Sequence, residues 1–123
     1  MSLANNKAKG RQYENDVSQW FNQLGFKTER RRLQGVEDRG DLTGLDNLIV
    51  ECKNEQGWSN ALTWIKEANV EAVNDAKHTG DITMGVVFKR VKGHPKPEDW
   101  VVMMDPDTFF CFYQAWLLHR MGV

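Results

Sequence analysis

The fold is decided by residues 41–53, which read DLTGLDNLIVECK. Asp46 and Asn47 favour a tight turn, and the residues on either side of them are typical of extended backbone. The segment therefore predicts two short strands, residues 41–45 and residues 48–53, folded back on each other as a hairpin.

The predicted hairpin gathers three side chains that can carry chemistry. Side chains alternate between the two faces of a strand, so Glu51 and Lys53 share a face. Asp41 opens the preceding strand, and the turn would bring it beside the end that bears Glu51. Two carboxylates and an amine are therefore expected to meet at one point. Asp38 is an alternative first acid, but it belongs to the preceding loop and would lie further from Glu51.

This combination suits the hydrolysis of a phosphodiester bond. The carboxylates of Asp41 and Glu51 are the hard oxygen ligands that Mg²⁺ prefers, and the backbone carbonyl of Cys52 could be a further ligand. A bound Mg²⁺ neutralises phosphate charge and lowers the pKa of a coordinated water. Lys53 can orient that water or stabilise the developing negative charge. The segment therefore predicts metal-dependent cleavage of phosphodiester bonds.

Periodicity predicts the elements on both sides of this segment. Helices are predicted over residues 7–24, 60–77 and 105–120, a loop over residues 34–40, and further strands over residues 27–33, 82–88 and 100–104. The order is helix, three strands, helix, two strands, helix. This order predicts an α/β fold with a central mixed sheet flanked by helices and followed by a C-terminal helix.

Apolar residues indicate how the last two helices pack. The second helix has one face lined by Ala61, Ile65, Ala68, Ala72 and Ala76. The last helix has a predicted buried side formed by Phe109, Phe112, Tyr113, Trp116 and Leu117. Asp105 is expected to cap this helix, with Pro106 in its first turn. Phe110 and Leu118 lie off the main apolar side, and such an excess is typical of a subunit contact. A homodimer is therefore expected.

Glu14 occupies the edge of the apolar stripe of the first helix, three residues before Val17 and seven before Phe21. It should face the sheet, where an unpaired carboxylate costs roughly 2–5 kcal/mol. Two partners remain open for Glu14, namely the suspected metal site and an arginine from residues 30–32.

The chain has 123 residues, which predicts a single domain over residues 1–123. No apolar run approaches the roughly 20 residues that cross a bilayer, and the polar opening through Lys9 lacks a signal-peptide core. A cytoplasmic protein is therefore expected. Cys52 and Cys111 are far apart in sequence, without metal-ligand spacing, and are expected to be reduced and buried.

Basic residues are locally clustered, although the net charge of −1 is unlike that of a general nucleic-acid binder. The first cluster comprises Lys27, Arg30, Arg31, Arg32 and Arg39, and the second comprises Lys89, Arg90, Lys92 and Lys96. Both are open to two interpretations, a phosphate-binding surface or a solvated one. The histidines have no zinc-ligand spacing, and no phosphate-binding loop or nucleophile elbow occurs, so nothing indicates zinc chemistry, ATP hydrolysis or acyl transfer.

Four motifs are distributed over the first half of the chain: KGRQYE at 9–14, GF at 25–26, GD at 40–41 and VECKN at 50–54. Together they resemble the PD-(D/E)xK nuclease superfamily, and within it the archaeal-type and phage Holliday junction resolvases. The resemblance implies that Glu14, Asp41 and Glu51 are acidic metal-site residues and that Lys53 is the catalytic lysine. It also implies a restriction-endonuclease-like αβββαβ core, homodimerisation, and cleavage of branched or duplex DNA with Mg²⁺ or Mn²⁺.

The predicted function is therefore a Mg²⁺-dependent endodeoxyribonuclease. Its predicted DNA-binding residues are Lys9, Arg11, Arg30, Arg31, Arg32 and Arg39. The leading assignment is Holliday junction resolution during DNA recombination in a prokaryotic cell or a phage-infected host. The alternatives are a linear-duplex or single-strand endonuclease of the same superfamily, and a catalytically silent DNA-binding module.

Overall fold

The computed structural model describes residues 3–32 and 39–122, which form an α/β fold. Its helices are α1 (Leu3–Gln23), α2 (Ala61–Thr79) and α3 (Pro106–Arg120). Its strands are β1 (Glu29–Arg30), β2 (Leu42–Thr43), β3 (Leu48–Lys53), β4 (Met84–Lys89) and β5 (Val101–Met103). A 3₁₀ turn, Pro97–Asp99, precedes β5. The predicted order of these elements is confirmed, whereas Asp38 and most of the predicted loop over residues 34–40 lie outside the described residues.

The central sheet has the strand order β3-β4-β5 and is mixed, as predicted. β3 and β4 are parallel, with a register that runs from Leu48 opposite Met84 to Lys53 opposite Lys89. β5 pairs with β4 in the antiparallel direction. Because parallel neighbours need a crossover, α2 connects β3 to β4 across one face of the sheet.

The predicted pairing of the two hairpin strands is wrong. The turn at Asp46 and Asn47 forms, and Asn47 has a φ of 56°. β2, however, pairs with β1 in a separate antiparallel ribbon, because the chain bends at Gly44 and passes against the backbone of Lys27. A hydrogen bond from the Asp41 amide to the carbonyl of Val50, 3.1 Å long, still holds the start of this segment beside β3.

The two faces of the central sheet are covered by different helices. α1 covers one face with Tyr13, Val17 and Phe21, which pack on Val50, Val86 and Phe88. α2 covers the other face with Trp64 and Ala68, which pack on Val87. Because strand residues alternate, Glu51 and Lys53 lie on the α2 side of β3. The site residues on β3 are therefore positioned by α2 as well as by the strand.

The buried face of α2 differs from the predicted one. Ala68 and Ala72 are buried as expected, but Ala61, Ile65 and Ala76 are only partly buried. The buried residues of the helix are Trp64, Ala68, Glu71, Ala72 and Asp75. The helix is thus rotated so that two carboxylates face the sheet, where they meet polar partners.

The start of α3 is confirmed, but its predicted buried side is wrong for the single chain. The carboxylate of Asp105 accepts a hydrogen bond of 2.7 Å from the amide of Thr108, and Pro106 begins the helix. The five residues of the predicted buried side are 36–59% exposed. Cys111 is also exposed and Cys52 is half-buried, which corrects the expectation that both are buried. α3 is fastened at its first turn and offers most of its surface to a partner or to solvent.

Replacing Gly85 by alanine is expected to destabilise the fold by about 1–3 kcal/mol, because overpacking a tight contact forces the backbone to shift. A Cβ atom at Gly85 would lie 2.5 Å from the carbonyl oxygen of Ala68, so α2 would have to move off β4. Urea unfolding measures the effect. Gly10→Ala is the control, because a Cβ there meets no atom of the described residues within 4 Å. The substitution also replaces a glycine inside a helix, which should stabilise the protein by about 0.5–1 kcal/mol. Equal stability of the two variants would contradict the close packing of α2 on β4.

Candidate functional site

Asp41 is held by three backbone groups, two of which belong to β3. Its Oδ2 accepts a hydrogen bond of 2.7 Å from the amide of Cys52. Its own amide donates to the carbonyl of Val50, and its carbonyl accepts from the amide of Arg31 at 2.6 Å. Since Cys52 lies between Glu51 and Lys53, the structure brings together the first acid and the strand that carries the other two predicted residues.

Glu51 is a buried carboxyl group, with 6% of the residue exposed. Burial, followed by the nearby carboxylates of Asp41 and Glu71, raises the pKa of Glu51 far above its ordinary value of 4.5. Its Oε2 atom has no hydrogen-bond partner among residues 3–32 and 39–122. A buried oxygen without a donor is costly, and a cation would relieve both this cost and the repulsion between the carboxylates.

Lys53 remains a cation in this environment. Its Nζ donates a hydrogen bond of 3.2 Å to Oε2 of Glu67 on α2. Burial acts to lower the pKa of Lys53, but the hydrogen bond to Glu67 and the charge of Glu51 outweigh it, so the pKa lies above its usual 10.5. Lys53 therefore provides a fixed positive charge rather than a neutral base.

Glu14 forms an ion pair with Arg30, and an arginine was one of the two partners that the sequence left open. Oε2 of Glu14 lies 3.7 Å from a terminal nitrogen of Arg30. Burial and the carboxylate of Asp41 nevertheless raise the pKa of Glu14 to about 7, against the opposing effect of Arg30. The ion pair with Arg30 is therefore observed, whereas a place for Glu14 at the metal site stays a prediction.

The residues present fit a divalent cation such as Mg²⁺ through few protein ligands. Within the described parts of the chain, no group of three or more His, Cys, Asp or Glu side chains is arranged as a ready-made metal site. Mg²⁺, however, usually keeps several waters and takes only one or two carboxylates from the protein. Asp41, fixed by the Cys52 amide, and Glu51, with its buried Oε2, meet that need. A contribution from the Cys52 carbonyl stays a prediction.

The predicted DNA-binding residues fall into three groups. Arg30 and Arg39 are ion-paired, the first with Glu14 and the second with Asp75 at 2.6 Å. Arg31 is half-buried and lies 3.5 Å from the carbonyl of Leu42. The exposed members of the predicted set are Lys9, Arg11 and Arg32. Their phosphate contacts stay predictions. Arg39 has a structural role, because its ion pair with Asp75 attaches the segment that precedes Asp41 to α2.

A basic cleft of about 740 Å³ opens beside Lys53. Its lining includes five cationic residues, Lys7, Lys9, Lys53, Arg90 and Lys92, and one acidic residue, Glu55. α1, the end of β3 and the segment after β4 each contribute to it. Lys7, Arg90 and Lys92 were not among the predicted DNA-binding residues, although the second basic cluster of the sequence contains two of them.

Lys89 differs from its neighbours in that cluster because it is buried. Its Nζ donates to the carbonyls of Glu55, at 2.8 Å, and Arg90, at 3.2 Å. The same ammonium group lies 4.5 Å from the ring centre of Trp58 and 5.8 Å from that of Trp64. The hydrogen bonds of Lys89 thus fix the segment that follows β3, and this segment lines the basic cleft.

An acidic row on α2, formed by Glu67, Glu71 and Asp75, was not among the predicted site residues. These residues are spaced four apart, so they lie along one side of the helix. Glu71 and Asp75 are buried, and hydrogen bonds from Thr83 and Arg39 lower the pKa of Asp75 against the effect of its burial. The spacing was the available signal, because three acids on one side of a helix can face a common surface.

The metal-free protein is expected to lose stability as pH rises from about 5 to about 8, by on the order of 1 kcal/mol per pH unit. The folded pKa values of Glu14 and Glu51 are raised above 4.5, so the folded chain holds protons that the unfolded chain has released. Folding then takes up protons, and higher pH favours unfolding. Asp75 and Asp105 have lowered pKa values and act only below about 3.8, outside this window.

Urea unfolding in EDTA at the two pH values measures this slope. Glu51→Gln should remove the part of the slope that Glu51 contributes, leave the part due to Glu14, and stabilise the protein at the higher pH. A stability that is constant or rises over this range would contradict the buried state of Glu51.

Comparison of the chain with family models, with curated proteins and with solved structures finds no match. Within the described ranges, no helix combines the length and apolar character needed to span a membrane.

Proposed function

We propose that this protein is a metal-dependent DNA endonuclease with a restriction-endonuclease-like core. The observation that carries the proposal is the 2.7 Å hydrogen bond from the Cys52 amide to Asp41, which joins the first acid to the strand bearing Glu51 and Lys53. Two further observations support it independently: Oε2 of Glu51 has no hydrogen-bond partner in the described part of the chain, and a basic cleft opens beside Lys53. The αβββαβ element order agrees with the resemblance in the first half of the chain.

Asp41 and Glu51 would hold the cation, Mg²⁺ or Mn²⁺. When bound, such an ion supplies an activated water and neutralises phosphate charge. The chain itself contributes the rigid placement of Asp41, which costs no reorganisation during the reaction. Lys53 places a fixed positive charge where negative charge develops on the phosphate, and Glu67 limits the positions that its Nζ can take.

The basic cleft is the proposed path for the DNA backbone. Lys9, Arg90 and Lys92 line it together with Lys53, so a phosphate bound there lies next to the proposed catalytic lysine. This arrangement explains how a chain with a net charge of −1 can bind DNA, because the cations are concentrated at the site. The exposed Arg11 and Arg32 extend the same basic character.

DNA affinity is expected to fall steeply as salt rises, because bound cations are released from the phosphates on binding. Lys92→Ala should lower the slope of log affinity against log salt by about one and weaken binding similarly for all sequences. Lys77→Ala is the control, because Lys77 is exposed in the last turn of α2 and does not line the cleft. Binding measured by fluorescence anisotropy distinguishes them, and an unchanged slope for Lys92→Ala would place the DNA elsewhere.

The proposed substrate is branched DNA, with the protein acting as a Holliday junction resolvase in the cytoplasm. A homodimer supports paired cuts across a junction, and α3 is the proposed contact. Residues 108–118 contain no charged side chain and include five exposed aromatics. Each aromatic buries about 150–250 Å² when covered, so the half-exposed set offers on the order of 500 Å², and Leu117, Leu118 and Met121 add to it. That approaches the roughly 800 Å² per partner of a stable interface.

A cleavage assay tests the function directly. Four-way junctions, linear duplex and single strands are incubated with Mg²⁺ and, separately, with EDTA. Cutting of junctions alone in Mg²⁺ would support the resolvase. Equal cutting of every substrate would favour the general endonuclease, and no cutting by folded protein that binds DNA would favour the silent module.

A further inference from the structure

The acidic row on α2 has three members with different surroundings. Glu67 meets Lys53 at 3.2 Å, and Asp75 meets Arg39 at 2.6 Å. Glu71 lies between them on the helix, one turn from each, and it faces the carboxyl group of Glu51. The two outer residues, Glu67 and Asp75, therefore form ion pairs with basic side chains, whereas the middle residue, Glu71, faces another acid.

Glu51 and Glu71 are close enough to share a hydrogen bond, and both residues are only 6% exposed. That contact leaves Oε2 of Glu51 buried without a hydrogen-bond partner among the described residues. Two facing carboxyl groups at such burial need a proton or a cation between or beside them. Because Glu51 is already a proposed ligand, Glu71 is placed on α2 to support the same proposed site.

We propose that Glu71 is a supporting carboxylate of the divalent-cation site and not a third direct ligand, so that the proposed site is flanked by α2 as well as by the sheet. This inference rests on the proposed nuclease function. The close packing of α2 on Gly85 and the ion pairs of Glu67 and Asp75 fix the height and rotation of the helix, and hence the position of Glu71.

The test measures Mn²⁺ binding to protein stripped with EDTA, using electron paramagnetic resonance to count free Mn²⁺. Glu71→Gln is expected to weaken Mn²⁺ binding about 10- to 100-fold, the range for loss of a supporting group at a metal site. Glu98→Gln is the control, since Glu98 is an exposed acid of the 3₁₀ turn that does not line the basic cleft, and its loss should leave Mn²⁺ affinity near that of the wild type. Urea unfolding of each metal-free variant shows that it is folded.

A purely structural role gives a different pattern. Removing one of two facing acids would then stabilise the metal-free protein and leave Mn²⁺ affinity unchanged, and that result would overturn the inference. Asp41→Asn distinguishes failure of the role of Glu71 from failure of the cation site itself. If it weakens Mn²⁺ binding while Glu71→Gln does not, only the role of Glu71 fails; if the wild type binds no Mn²⁺, the nuclease proposal and this inference both fail.

Discussion

Replacing Lys53 by alanine is expected to lower the rate of DNA cleavage by about 10²- to 10³-fold or more, which would abolish measurable turnover. The Nζ of Lys53 stays charged and is held beside Glu67, so its removal takes away a preplaced cation that acts most strongly in the transition state. DNA affinity should change little, because the cleft retains its other four basic residues.

Single-turnover cleavage and anisotropy binding, measured on the same preparation, separate the two effects. Lys66→Ala is the control, since Lys66 is an exposed lysine on the same helix as Glu67. Wild-type turnover in Lys53→Ala would show that the role assigned to Lys53 is wrong. Arg31→Ala, by contrast, should weaken binding before it affects the cleavage step.

A charge placed on α3 is expected to convert the proposed dimer to a monomer. Tyr113 and Phe109 stack at 6.1 Å on one side of the helix, and a glutamate at 113 would have to be buried unpaired in the interface. Such burial costs several kcal/mol, enough to shift the dissociation constant by about 10³-fold. Sedimentation equilibrium over a range of concentrations measures it directly.

Gln114→Glu provides the matched control, because it adds the same charge to the next residue, which is already polar and exposed. It should weaken the dimer much less than Tyr113→Glu. A wild-type protein that sediments as a monomer at every concentration would remove α3 as a contact between copies. A Tyr113→Glu variant that remains dimeric would place the contact on another surface.

Strand β3 and its chemistry could be predicted from sequence because the signals there are local. The bounds of residues 48–53 are confirmed, and strand alternation alone places Glu51 and Lys53 on one face. The position of Asp41 followed from the turn at Asp46 and Asn47. The pairing of β2 did not, since it depends on a backbone contact between Gly44 and Lys27 that no periodicity encodes.

α2 and α3 show what periodicity cannot resolve. An apolar stripe predicts that a surface is covered, but it does not say whether the same chain or another covers it, and so the buried side of α3 was assigned to the core. In α2, small apolar residues indicated a face close to the real one. Glu71 was missed because a charged residue is expected outside unless its partner is known, and that partner, Glu51, comes from a distant part of the chain.

The hydrogen bond between the Cys52 amide and Asp41 turns a backbone group into a reporter of the site. In a ¹⁵N-labelled sample, the amide resonance of Cys52 should move when a cation competes for the carboxylate of Asp41, before any DNA is cut. One assigned peak can thus follow occupancy of the centre in real time, without a substrate or an added probe.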